Sequence, residues 1–72
     1  MDTLLFKWHV KKNGDSLKEL AKFLNLHPHT LYMKYKEGGK KQEFTQSEIQ
    51  LIAKRYNLTS EDITKIFFNE II

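Results

Sequence analysis

Apolar side chains recur along this chain at helical spacing, and each recurrence is preceded by a residue suited to cap a helix. Asp2 or Thr3 can cap a first helix running to about Lys12, with Leu4, Leu5 and Trp8 as its apolar face and Trp8 as a core anchor. Asn13 and Gly14 break it. Ser16 and Glu19 form an S-x-x-E capping box for a second helix, in which Leu17, Leu20, Ala21 and Leu24 mark the buried side. Asn25 tolerates the left-handed backbone that ends a helix, and Leu26 returns inward. His27 caps and Pro28 opens a third helix through Leu31 and Tyr35. Thr45 and Glu48 form a second box, with Phe44 stapled to Ile49. The fourth helix carries Ile49, Leu51, Ile52, Ala53 and Tyr56 and stops at Asn57, after which Leu58 packs inward. Thr59 and Asp62 repeat the capping pattern for a last helix, from about Ser60 to Phe68, with Ile63, Ile66 and Phe67 on one face.

The expectation is an all-α fold of five helices in a single domain spanning residues 1–72, with no strand signal outside the apolar tail. A domain this small is marginally stable alone, so a second copy would help. The tail, Phe67, Phe68, Ile71 and Ile72, is apolar where chain ends are usually polar. It either closes the monomer's core or meets a second copy, and these four residues are the expected homodimer interface. The chain has no cysteine, hence no disulfide and no thiolate metal site, which fits a reducing cytoplasm. Asp2, Lys7 and Trp8-His9 interrupt any leader-like apolar run, and no stretch is long enough to span a membrane.

Charge is distributed unevenly. Residues 1–41 hold nine lysines against four acidic residues, a balance of +5, while residues 42–72 stand at −2. The basic half contains the second and third helices, and a polyanion would be drawn there. A helix, a short turn and a second helix at a steep angle make the DNA-binding helix-turn-helix unit, here at about residues 16–36, with small Ala21 where the helices cross. In its docking geometry the opening of the second motif helix meets base edges, which nominates Pro28, His29, Thr30, Tyr32 and Met33. His29 suits guanine O6 or N7, or a phosphate; Thr30 and Tyr32 can donate; Pro28 and Met33 offer apolar contact to a thymine methyl. None makes a bidentate base pair contact, so modest specificity with a share read from DNA shape is expected. Ser16, Lys18, His27, Lys34, Lys36, Lys40 and Lys41 are the phosphate candidates, the last four bracketing the other strand; Lys36, Lys40 and Lys41 flank a glycine-broken loop at residues 36–41 that otherwise is a soluble connector. Against these stands the alternative that Tyr32 and Met33 pack on protein.

Leu20-Ala21, Leu24-Asn25-Leu26 and Thr30-Leu31-Tyr32, followed by Lys34 and Tyr35, resemble the phage Cro/CI-type (XRE-like) helix-turn-helix regulators. The resemblance implies a transcriptional regulator, a repressor binding double-stranded DNA at an operator as a homodimer. Asn25 stands where the family's turn has glycine, and the outward face of the third helix lacks the Gln, Arg, Ser or Asn of many relatives. Two alternatives share the scaffold: a protein-interaction module that modulates another repressor, and an antitoxin that also masks a toxin. Phe23 points away from the Leu20–Leu24 seam and is expected to pack under the tail. His27 and His29, two apart on a helix, do not face one metal, and no catalytic constellation or cofactor motif is present, so neither metal, cofactor nor enzyme activity is expected.

Overall fold

The computed structural model describes residues 1–40 and 42–68. Within them lie α1 (Thr3–Lys12), α2 (Leu17–Phe23), α3 (Pro28–Tyr35), a 3-10 turn (Lys36–Gly38), α4 (Gln46–Tyr56) and α5 (Ser60–Phe67), with no strand among the described residues. The helix ends follow local chemistry. Asp2, Ser16, His27, Thr45 and Thr59 each accept a backbone N–H from the first turn that follows. At Thr45 and Thr59 the reciprocal bond from Glu48 or Asp62 completes the box. At Ser16 it is not made: the Ser16 N–H is already donated to Asp15 Oδ1 at 2.9 Å, so Glu19 has no donor to receive. Asn25 (φ 58°) and Asn57 (φ 53°) are both left-handed. Gly39 is required after α3, because a Cβ there would stand 3.0 Å from the Lys34 carbonyl oxygen.

The core is centred on Phe6, which is 1% exposed. Its ring lies 5.6 Å from Tyr35 of α3, 5.5 Å from Phe44 ahead of α4 and 6.3 Å from Phe67 of α5. Val10, Leu20, Ala21, Leu24, Leu31, Ile52, Tyr56 and Ile66 complete the buried apolar set, with Leu26, Ile49 and Leu58 packed against it. The Thr3 hydroxyl donates to the Tyr35 carbonyl at 2.6 Å and accepts the Gly38 N–H, and Asp2 N–H donates to the Ile66 carbonyl. These bonds fasten the start of α1 to the ends of α3 and α5.

This arrangement corrects the expected orientation of α1. Phe6, His9 and Val10 face the core, a spacing of i, i+3, i+4, whereas Leu4 is 81% and Trp8 53% exposed. Leu5 alone of the expected face packs partly against the core. Trp8 is therefore not an anchor; the Lys12 ammonium lies over its ring at 4.9 Å and its edge meets His9. Leu51 of α4 is likewise exposed.

A polar brace joins α4 to both ends of α2. Asp15 accepts from Arg55 Nε at 2.7 Å, from Arg55 Nη2 at 3.2 Å and from the Tyr56 hydroxyl at 2.7 Å. The Arg55 guanidinium also lies 4.5 Å from the centre of the Phe23 ring. Phe23 thus meets α4 through Arg55, while residues 69–72 of the tail expected to cover it lie outside the described residues. The Arg55 bonds hold the Asp15 carboxyl down, from 3.8 to about 2, against the opposing effect of burial. Burial, followed by the neighbouring carboxylate, pushes the Tyr56 hydroxyl up.

Two outcomes are expected. Phe6→Ala should cost about 3–5 kcal/mol in urea unfolding, as for a large aromatic removed from a filled core. Trp8→Ala should cost no more than about 1 kcal/mol, the scale of an exposed cation–π contact; the reverse order would mean that α1 is turned the other way. Because its folded pKa is depressed, Asp15 contributes stability that is present above pH 4 and lost as pH falls toward about 2. Asp15→Asn should therefore lower stability at neutral pH by roughly 1–2 kcal/mol, allowing for solvent screening of Arg55. Near pH 2 the urea midpoints of the two proteins should converge.

Candidate functional site

The candidate surface is built on α2 and α3, which pack against each other more extensively than any other pair of elements. Leu20 and Ala21 of α2 are fully buried in the core. A side chain larger than Ala at position 21 would overpack it. After Leu24, the left-handed Asn25 turns the chain, and Leu26 N–H closes the end of α2 on the Ala21 carbonyl at 2.8 Å. Leu26 plugs inward, and the chain leaves the turn with His27 extended (φ −65°, ψ 142°).

His27 Nδ1 accepts the His29 N–H at 3.1 Å. That bond assigns the imidazole proton to Nε2, leaving a donor. Pro28 follows at the first helical turn. His27, Pro28, His29 and Tyr32 are exposed, while Thr30 and Met33 are half-buried. The five expected base-facing residues therefore separate: Pro28, His29 and Tyr32 project, and Thr30 and Met33 stand at the margin.

Tyr32 does not hang free. Its ring lies 6.2 Å from His29 and meets Tyr35 edge-on at 5.5 Å, with the Lys36 ammonium 5.7 Å from its centre. Tyr35 is buried, and the Lys7 ammonium lies 5.3 Å from its ring. The result is a ladder of rings along α3 edged by cations. Lys7 belongs to this edge although sequence spacing assigned it no role; only the packing of α1 beside α3 brings it there.

The phosphate candidates also separate. Lys18 and Lys40 are exposed, Ser16 is exposed with its hydroxyl engaged by the Glu19 N–H, and Lys36 is half-buried over Tyr32. Lys34 is withdrawn from the set. Its ammonium stands 3.0 Å from Glu48 Oε1 and donates to the Glu43 carbonyl at 3.2 Å, and its side chain is 11% exposed. Burial works against the Glu48 carboxylate, but the Thr45 N–H and the Lys34 ammonium hold its pKa below the ordinary value. Lys41 lies outside the described residues.

Of the expected dimer contacts, Phe67 is a core residue, 5.6 Å from the Phe44 ring and half-buried against Phe6. Phe68 is 61% exposed, and Ile71 and Ile72 lie outside the described residues. Among the described residues no group of three or more His, Asp or Glu is arranged to hold a metal ion, and no helix is long and apolar enough to cross a membrane. Compared with known protein families, with curated proteins and with solved structures, the chain matches none.

Proposed function

We propose that the chain is a helix-turn-helix regulator of the phage Cro/CI type that binds double-stranded DNA through the opening of α3. The observation that carries this reading is the exposed cluster His27, Pro28, His29 and Tyr32 at the opening of α3, a helix that follows α2 across the left-handed Asn25 turn and packs on it. In this geometry α3 enters the major groove and its first turn meets base edges. His29 supplies a hydrogen bond to a base edge, Pro28 supplies apolar contact, Tyr32 donates at the flank, and the His27 Nε2–H donates to a phosphate. Lys18, Lys36 and Lys40, with the Ser16 hydroxyl, hold the sugar-phosphate strands. Thr30 and Met33 complete the edge of the contact from their half-buried positions.

A dimer would read two half-sites roughly 34 Å apart, one turn of the duplex, and occupy an operator against polymerase. Such a dimer would use Phe68 and the residues after it, since Phe67 is taken by the core. The setting is the cytoplasm, where the DNA is.

Binding to a random duplex should weaken steeply with salt, by roughly fortyfold between about 50 and about 200 mM for three neutralised phosphates. Fluorescence anisotropy of a labelled duplex measures it. Replacing Lys18, Lys36 and Lys40 together by Ala should lower the log–log salt slope by about 3, with the circular dichroism unchanged. Lys34→Ala should instead act on stability, through the loss of its Glu48 pair. Salt-independent association, or an unchanged slope in the triple variant, would overturn the reading. Binding selected from a pool of fragments should lose its sequence preference in His29→Ala.

A further inference from the structure

The outer face of α1 is left without a role by the fold. On a 3.6-residue helix Leu4 and Trp8 lie opposite Phe6, His9 and Val10, so α1 carries apolar residues on both sides. A helix apolar on two faces ordinarily buries both. Here Phe6, His9 and Val10 enter the core, while Leu4 remains 81% and Trp8 53% exposed, one turn apart on a single stripe.

The border of that stripe is cationic. Lys7 and Lys11 flank it on one side and Lys12 on the other, and all three are exposed. α1 contains no acidic residue; Asp2 is its cap and accepts the Leu5 N–H, and the Asp62 carboxylate of α5 is near Lys12 and His9. Two copies joined through this face would bring six lysines together around two small stripes, with only the Asp62 near each Lys12 to offset them. That repulsion argues against self-association. The Lys12 ammonium covers one side of the Trp8 ring, and no second exposed ring stands on the stripe to sandwich a base. Two anchors one turn apart are a small apolar area for an interfacial membrane helix, which uses a whole face. They do match the i, i+4 anchor spacing with which one amphipathic helix packs on another.

We propose that the Leu4–Trp8 stripe, with Lys7, Lys11 and Lys12 around it, docks an acidic amphipathic helix of a partner protein. Leu4 and Trp8 enter between the partner's apolar side chains, and the lysines pair with its flanking carboxylates. The ammonium of Lys12, already seated on the indole, shields the edge of the contact from water. Of its residues, only Lys7, whose ammonium lies over the Tyr35 ring, also borders the α3 face proposed to read DNA.

Trp8 is the chain's single tryptophan, so its emission reports the stripe directly. The full chain is titrated with a synthetic helical peptide carrying a leucine stripe among glutamates, and with a peptide of the same composition whose leucines are dispersed. The expected result is a saturable blue shift with the striped peptide alone. It should weaken at least tenfold in Leu4→Ser and in the double variant Lys11→Glu, Lys12→Glu, each with an unchanged circular dichroism spectrum. Leu4→Ser should leave binding to duplex DNA as it was, so loss of one activity is distinguishable from loss of the other. No shift with the striped peptide, or equal shifts with both peptides, would overturn the proposal. So would a shift produced only by phosphatidylserine vesicles, only by duplex DNA, or only by raising the protein's own concentration.

Discussion

The ring of Phe6 is where four segments of this small protein meet. Tyr35, Phe44 and Phe67 each place an aromatic side chain against it, from α3, from the approach to α4 and from α5. Aromatic pairs at these separations add to the stabilisation from area burial, and a core this small depends on few such residues. One consequence is geometric. Once Phe6 points inward, the rotation of α1 about its axis is fixed, and Leu4 and Trp8 are carried outward. The core thus decides which face of α1 is turned outward, and that face carries Leu4 and Trp8.

The features legible in the sequence are those that act over three or four residues. Thr45 with Glu48 and Thr59 with Asp62 were readable because a capping box is closed within one turn. Asn25 and Asn57 were readable because few residues other than glycine tolerate a left-handed stop. Pro28 marked the start of α3 for the same kind of local reason. The rotation of α1 was not readable. Leu4, Leu5 and Trp8 make an apolar face as regular as Phe6, His9 and Val10 do, and only the neighbouring elements choose between them. Nor was the fate of Lys34, whose carboxylate partner comes from another helix. Phe23 was recognised as displaced from the seam of its helix, but its Arg55 neighbour is brought to it by tertiary packing.

Several cations of the basic half are committed to rings before any ligand arrives. Lys7 lies over Tyr35, Lys12 over Trp8 and Lys36 over Tyr32. Each contact is modest. Together they restrict long side chains that would otherwise lose rotamer freedom on binding. On the DNA-binding reading, the α3 face therefore meets its ligand partly ordered, with Tyr32 already steadied by His29, Tyr35 and Lys36. The same restriction has a cost, since a lysine moving to a phosphate must leave its ring. Lys18 and Lys40, exposed and without a ring, are free of that exchange and should carry more of the salt-dependent attraction.

The two proposed surfaces stand on one rigid tie. The Thr3 hydroxyl is bonded to the Tyr35 carbonyl, and Phe6 packs on the Tyr35 ring, so α1 and α3 are joined at their bases. Coupling between two sites requires an element with two arrangements that each ligand favours unequally. Both contacts here join α1 to α3 at Tyr35, whose carbonyl accepts the Thr3 hydroxyl and whose ring packs on Phe6. A partner on α1 and a duplex on α3 would then bind with additive free energies, and the protein would join the two by holding them at a fixed separation rather than by signalling between them.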